Sequence, residues 1–187
     1  TYEEALACVN AGADIFVHTY NGMSGLHHRE PGMVGAAMTT HGTYAEAICD
    51  GHHLNPIAVR ALVNAKGYDH TVLITDCMRA GGMPNGQYKL GDFPVVVEGG
   101  TARLMDESHS LAGSILRLFE GVKNVFDWGI VSAEEAVRMA SENPARSCGI
   151  DDVCGFIRPG YDADFIVITK DLQLEETFLG GKSVYKA

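Results

Sequence analysis

The sequence predicts an α/β protein whose parallel strands are buried on both faces. Three mostly apolar runs indicate such strands, because none shows the regular polar alternation of a half-exposed strand; they lie at 14–20, 44–49 and 72–74. A helical pattern lies between the second run and the third, which makes a repeat of strand, helix and strand. Repeats of this kind build either an open doubly wound sheet or a barrel, and their spacing alone does not separate the two.

The first half of the chain contains two predicted helices. Small and apolar residues at helical spacing over 1–9 indicate the first helix, which Gly12 is placed to end. Asn55 and Pro56 supply an N-cap and a first-turn proline for the second helix, and Gly67 ends it. The second helix therefore connects the second and third strands.

The second half of the chain first becomes β-rich and then returns to helix. Glycines interrupt short β-rich runs over 87–105, which indicates a segment of antiparallel strands. A helix is expected over about 114–128, and Ser132 with Glu135 forms a capping box that predicts another helix after it. Two β-like runs close the chain, at 164–169 and 177–185.

The composition excludes several classes of function. The net charge is −10, and the 14 Lys and Arg residues are scattered along the chain, so no basic stripe is available for nucleic acid. No apolar run approaches the ~18 residues that a membrane helix needs. The five cysteines include no C-x-x-C pair, which predicts free thiols in a reducing cytoplasm and argues against a disulfide framework or a structural zinc site.

Histidine and aspartate side chains follow the predicted strands at their C-terminal ends. His18 lies at the end of the first strand, His52 and His53 follow the second, and Asp76 follows the third. In a parallel barrel these positions lie on one rim, where the active site is built, so the pattern favours the barrel. A neutral imidazole can bind a divalent metal, and a carboxylate can take a proton from metal-bound water. The pattern is typical of a hydrolase, although catalytic zinc usually takes about three protein ligands and this chain does not supply the full set.

Six short segments carry a more specific pattern. They are HTYNGM at 18–23, REPG at 29–32, DGHH at 50–53, TD at 75–76, LAGS at 111–114 and NPA at 143–145. In order and spacing they resemble the motifs of N-acetylglucosamine-6-phosphate deacetylases, and residues 155–164 resemble a more widespread ending of the amidohydrolase superfamily. Together these segments extend over nearly the whole chain.

This resemblance implies metal-dependent hydrolysis of N-acetylglucosamine 6-phosphate to glucosamine 6-phosphate and acetate. It implies that His18 binds the metal, with zinc expected and iron as the alternative, and that Asp76 is the catalytic acid and base. The substrate contacts that it implies are Asn21, Gly22, Arg29, Asp50, Gly51, His52, His53, Leu111, Ala112 and Gly113. The Arg29 guanidinium suits a phosphate dianion because it offers two parallel donors.

The resemblance also implies the C-terminal part of a (β/α)8 barrel of the TIM type, with strands of a small β-sandwich domain. The expected parts are late βα units at 1–86, a β-rich insertion at 87–112, barrel helices at 113–154 and sandwich strands at 155–187. The family's other metal ligands have no match here, so we expect a fragment without activity of its own. The complete enzyme is expected to be a cytoplasmic homodimer that binds an amino-sugar phosphate.

Other interpretations remain open at this point. The chain can be a non-catalytic remnant that at most binds sugar phosphate, or another amidohydrolase that acts on a cyclic amide. Asp76 can be only a cap after its strand, and Arg29 can form a surface salt bridge with Glu30. The histidines without an expected role are His27, His28, His41, His70 and His109.

Overall fold

Three separate three-stranded sheets organise the chain, and the computed structural model describes all of it, Thr1–Ala187. The first sheet is parallel, in the order β1-β2-β3, and its strands are β1 Ile15–Phe16, β2 Tyr44–Ile48 and β3 Thr71–Ile74. These are the three strands that the apolar runs predict, so the α/β class is confirmed. Because β1 and β3 each pair on one side only, both are edge strands of this sheet.

The chain forms six α-helices, and none of them is long and apolar enough to cross a membrane. Three lie in the first half, at α1 Tyr2–Asn10, α2 Gly32–Thr39 and α3 Pro56–Lys66. A short 3-10 turn, Tyr68–His70, leads from α3 into β3. The other three lie in the second half, at α4 Leu118–Asp127, α5 Ala133–Ala140 and α6 Glu142–Ser147.

The largest hydrophobic core lies between the parallel sheet and helices α3, α4 and α5. Alternate residues of β2 enter this core, because successive side chains of a strand point to opposite faces. Its fully or nearly fully buried members are Ala45, Ala47, Cys49, Leu54, Val59, Leu62, Val63, Leu73, Val122, Val125, Ala136 and Met139. The opposite face of β2 carries Glu46, which is half-buried. One face of the sheet is therefore closed by helices, and the other presents a carboxylate.

Two antiparallel sheets occupy the rest of the chain. The second sheet consists of β4 Gly86–Leu90, β5 Phe93–Glu98 and β6 Thr101–Leu104. The third consists of β7 Phe165–Ile168, β8 Leu174–Leu179 and β9 Lys182–Lys186. The second sheet has its own small core, whose members are Met78, Ala80, Val95, Val97, Ala102 and Ala112.

The structure corrects three boundaries expected from sequence. The first strand is only two residues long, because the chain leaves the extended conformation at His18, whose φ is 33°. Helix α4 begins at Leu118 and not near position 114, since Ser114 bonds instead to the chain beyond β3. The expected run at 177–185 belongs to two longer strands, β8 and β9, which form a hairpin around Gly180 and Gly181 and begin at Leu174.

Helices α2 and α6 were not expected from the sequence. Helix α2 reads GMVGAAMT, and it lacks the polar face that marks an amphipathic helix. Most of its residues are buried, and Ala36 and Ala37 pack with Ala5 and Phe16 in a third small core. Helix α6 is only six residues long, which is too short for a helical period to show.

Candidate active site

The parallel sheet brings the predicted site segments to one edge. Strand β1 pairs with β2 and β2 pairs with β3, in parallel, so the residues that follow the three strands lie on the same side. His18 comes two positions after the end of β1, the turn from Asp50 to His53 follows β2, and Asp76 comes two positions after β3. This is the edge where α/β proteins place their ligand and catalytic residues.

His18 is half-buried in a tight turn that fixes its orientation. Its backbone amide donates to Oε2 of Glu46 at 3.1 Å, and its ring Nδ1 lies 3.0 Å from the carbonyl oxygen of Asn21. A carbonyl oxygen only accepts, so Nδ1 carries a proton, and the lone pair of the neutral tautomer is then on Nε2. The Asn21 side chain closes the turn by donating to the carbonyl oxygens of His18 and Thr19, at 3.3 and 3.4 Å.

The turn after β2 contains a buried pair formed by Asp50 and His53. Their side chains are only 9% and 6% exposed, and Nδ1 of His53 lies 2.6 Å from Oδ2 of Asp50. The other carboxylate oxygen accepts from the backbone amides of His52 and His53, each at 2.8 Å. Burial raises the pKa of the Asp50 carboxyl, but the hydrogen bonds from His53 and from the two amides outweigh it and hold that pKa below its usual value. Asp50 therefore fixes the His53 ring and leaves its Nε2 free.

His52 lines a cleft together with Asp50. The side chain of His52 is exposed, and a Cβ at Gly100 would lie 3.4 Å from its Nε2, so the ring approaches the turn between β5 and β6. The cleft measures about 580 Å³ and is mostly polar; its lining residues are Asp50, His52, Gly82, Met83, Gly100, Ile115, Leu116, Arg117, Glu120 and Asn124.

Asp76 is exposed beyond β3, and the segment from Leu111 to Ser114 holds its backbone. The Ser114 amide donates to the Asp76 carbonyl oxygen at 2.8 Å, and the Met78 amide donates to the Ser114 carbonyl oxygen at 2.9 Å. The Ser114 hydroxyl donates to the carbonyl oxygen of Thr75. Gly113 has a φ of 63°, and a Cβ on it would stand 3.0 Å from the Asp76 carbonyl oxygen. The predicted contact segment therefore lies directly beside the predicted catalytic residue.

Arg29 lies in a separate exposed turn before α2. The backbone amides of His27 and Glu30 each donate to the carbonyl oxygen of the other at 3.1 Å, which closes the turn. Nη1 of Arg29 lies 2.8 Å from Nε2 of His28, and no carboxylate lies within ion-pair distance of the guanidinium. The surface salt bridge between Arg29 and Glu30 is thus not formed.

A metal ion would need more ligands than this chain brings together. No group of three or more His, Cys, Asp or Glu side chains is arranged to hold one. His18 offers one free imidazole nitrogen, whereas catalytic zinc usually has about three protein ligands. The donor set of this chain alone does not fit a catalytic metal.

Three residues of this region had no role in the sequence interpretation. Glu46 anchors the His18 amide, and it is the one charged residue in the apolar run at 44–49, which is the signal that could have revealed it. Asn124 donates to the Cys49 carbonyl oxygen at 2.8 Å and so ties α4 to the end of β2. Ser114 ends the LAGS segment, but its hydrogen bonds to Thr75 and Asp76 join it to a distant part of the chain, which the sequence pattern does not show.

Comparison with known proteins gives a consistent result. Residues 57–184 match the model of the amidohydrolase family. Over its whole length the chain is 44% identical to N-acetylglucosamine-6-phosphate deacetylase of Vibrio furnissii, of which it covers 46%. It is 42% identical over 97% of its length to N-acetylgalactosamine-6-phosphate deacetylase of Escherichia coli O157:H7, of which it covers 48%.

Solved structures agree with the sequence relatives. The whole chain superimposes on N-acetylglucosamine-6-phosphate deacetylase of Thermotoga maritima with a TM-score of 0.92 at 35% identity, and it covers 51% of that protein. The chain thus spans about half the length of each of these three relatives. Because the family model matches more than half of the chain, the chain belongs to the amidohydrolase family.

Proposed function

We propose that this chain is part of a metal-dependent hydrolase that converts N-acetylglucosamine 6-phosphate to glucosamine 6-phosphate and acetate. The observation that carries this proposal is the placement of His18, His53 and Asp76 after the C-terminal ends of three adjacent parallel strands. The relatives named above supply the substrate class, an amide on a sugar phosphate.

The proposed fold of the whole enzyme follows from the same relatives. We assign residues 1–86 to the late βα units of a (β/α)8 barrel, 87–112 to a β-rich insertion and 113–154 to barrel helices. Residues 155–187 then belong to a small β-sandwich domain. The single-sided pairing of β1 and β3 supports this assignment, because a closed barrel has no edges and each of these strands would pair again in the complete protein.

Asp76 is the proposed catalytic acid and base. Its carboxylate is exposed at the site edge, and its backbone is fixed by the Ser114 amide. Such a carboxylate accepts a proton from the attacking water and then returns it to the amine that leaves the acetyl carbon. One group performs both transfers because the first leaves it as a carboxylic acid.

His53 and Arg29 are the proposed contacts to the sugar phosphate. The Asp50 pair fixes the His53 tautomer, so that Nε2 remains available as a hydrogen-bond partner for a sugar or phosphate oxygen. The Arg29 guanidinium has no carboxylate partner and is suited to the phosphate dianion. The other proposed contacts are Asn21, Gly22, Asp50, Gly51, His52, Leu111, Ala112 and Gly113.

The metal is proposed as zinc or iron, with its remaining ligands outside these 187 residues. His18 is the proposed ligand from this chain, because a carbonyl oxygen occupies its Nδ1 and the other nitrogen is free. If the chain is instead a non-catalytic remnant, we expect no metal to bind at this edge, because a remnant does not need one.

N-Acetylgalactosamine 6-phosphate is a second candidate substrate. The Escherichia coli relative, which is 42% identical over 97% of the chain, is named for that substrate. The Vibrio furnissii relative, which is named for N-acetylglucosamine 6-phosphate, is 44% identical, and two identities this similar do not separate the two substrates. The two sugars differ only in the configuration at C4. The contacts nearest to C4, and not Arg29 or Asp76, would then decide between them.

A chimera tests the proposal directly. The aligned half of the Vibrio furnissii relative is replaced by these 187 residues, and metal content and acetate release are measured with both sugar phosphates. We expect stoichiometric metal and acetate release from at least one substrate, with the Asp76→Asn chimera as the inactive control. A folded chimera that binds metal but releases no acetate from either substrate would contradict the proposed function.

A further inference from the structure

The turn from His27 to Glu30 contains a compact group of one guanidinium and two imidazoles. Nη1 of Arg29 lies 2.8 Å from Nε2 of His28, and the Arg29 backbone amide donates to Nδ1 of His27 at 3.3 Å. The two imidazole rings contact each other, with their centroids 4.2 Å apart. Both histidines therefore touch Arg29, one through its backbone and the other through its side chain.

The hydrogen bonds fix the protonation of both rings. An arginine side chain has five N–H donors and no acceptor, so Nε2 of His28 must be the acceptor in its contact with Nη1. Nδ1 of His27 accepts from a backbone amide in the same way. Each ring thus carries its proton on the other nitrogen and is neutral, and the group holds a single positive charge, that of Arg29.

This positive charge has no internal partner. None of the three side chains lies within ion-pair distance of a carboxylate, although the chain carries a net charge of −10. His28 occupies only one of the five guanidinium donors, so the others remain available to an anion.

We propose that His28 is a positioning residue for phosphate recognition: its neutral Nε2 holds the Arg29 guanidinium ready for the phosphate of the substrate. The inference rests on the proposed function, in which Arg29 contacts that phosphate. An exposed arginine loses rotamer freedom when it binds, at about 0.5–1.5 kcal/mol for such a side chain. His28 removes part of that loss, because the side chain is already ordered before the ligand arrives.

Calorimetric titration of the chimera with glucosamine 6-phosphate tests this role, with glucosamine as the unphosphorylated probe. His28→Ala is expected to raise the dissociation constant of the phosphorylated sugar about twofold to tenfold, which is the ordering cost expressed as affinity. His28→Gln is expected to restore binding to within about twofold, because the glutamine oxygen accepts the same hydrogen bond. Glucosamine binding should not change, and His41→Ala provides a matched loss of an exposed histidine elsewhere.

The other outcomes separate the inference from the function on which it rests. If Arg29→Ala weakens binding while His28→Ala does not, the role of His28 is wrong and the proposed function stands. Equal losses in His28→Ala and His28→Gln would likewise overturn the acceptor role. If Arg29→Ala leaves binding unchanged, or the unaltered chimera does not bind glucosamine 6-phosphate, both the phosphate contact and the role of His28 are overturned.

Discussion

The backbone amide of Ser114 donates a hydrogen bond to the carbonyl oxygen of Asp76 at 2.8 Å, and Cys77 and Ser114 form an isolated parallel bridge beside it. The segment that precedes Ser114 is joined to the second sheet, since the Ala112 amide donates to the Ala102 carbonyl oxygen at 3.0 Å. The position of Asp76 therefore depends on both β3 and the antiparallel sheet.

Gly113→Ala should impair catalysis by displacing Asp76. The new Cβ would meet the Asp76 carbonyl oxygen at 3.0 Å, so one of the two backbones must shift by a few tenths of an ångström. A misplacement of about 1 Å can cost about 100-fold in rate, so for this smaller shift we expect a loss of about 3- to 10-fold in acetate release by the chimera. Gly42→Ala is the matched control, because Gly42 also has a positive φ, 73°, but has open space around it. Equal rates in the two variants would contradict this coupling.

Asp76→Asn should remove the acid and base without removing the metal. An amide cannot accept the proton of the attacking water, and general acid and base assistance contributes about 10²- to 10⁴-fold. We expect kcat of the chimera to fall within that range while its metal content, measured by mass spectrometry, stays the same. Turnover close to that of the unaltered chimera would eliminate Asp76 from the chemistry.

Asp50→Asn should destabilise the chain in a pH-dependent way. Because the pKa of folded Asp50 lies below its usual value, its contribution to stability is complete above the unfolded pKa of about 3.9 and is lost as the pH falls through the folded pKa. Near pH 7 we expect the free energy of unfolding to drop by about 1–3 kcal/mol, the cost of weakening a buried hydrogen-bonded group.

Urea unfolding of the Asp50 variant at pH 7 and again below about pH 4 measures this difference. The difference in the free energy of unfolding between the unaltered chain and Asp50→Asn should be smaller at the lower pH. Asp92→Asn, an exposed aspartate in the turn between β4 and β5, serves as the control and should show no such difference at either pH. If this difference in the free energy of unfolding did not change with pH, the charge of Asp50 would not contribute to stability.

Asn143→Ala should lower stability without touching the candidate site. The buried Asn143 side chain donates to the carbonyl oxygens of Tyr68 and Thr71, at 2.7 and 2.8 Å, and so ties α6 to the start of β3. Its loss removes two hydrogen bonds, which costs about 1–3 kcal/mol in total at about 0.5–1.5 kcal/mol each. Urea unfolding should resolve this decrease, whereas Asn10→Ala, at the exposed end of α1, should stay within about 0.5 kcal/mol. Similar values for the two variants would refute the structural role of Asn143.

The sequence by itself determined the elements whose signals are local. The three apolar runs became the three parallel strands, and the caps at Asn55 and Ser132 became the observed starts of α3 and α5. In both caps the side chain accepts a backbone amide a few residues ahead, so the chemistry lies within one turn of chain. The sequence also predicted that His18 and Asp76 lie on the same side of the sheet, because each follows a strand and parallel strands end at a common edge.

Only the tertiary structure decided the features that depend on distant segments. The residues of α2 carry no helical period, and their helix is stabilised by burial against β1 and α1. The link between Ser114 and Asp76, like that between Glu46 and His18, joins segments that are far apart in sequence. Such hydrogen bonds form only after the strands have packed, because each requires two separate segments to be fixed against each other first. The residue pattern of one segment therefore does not indicate which hydrogen-bond partner a distant segment supplies.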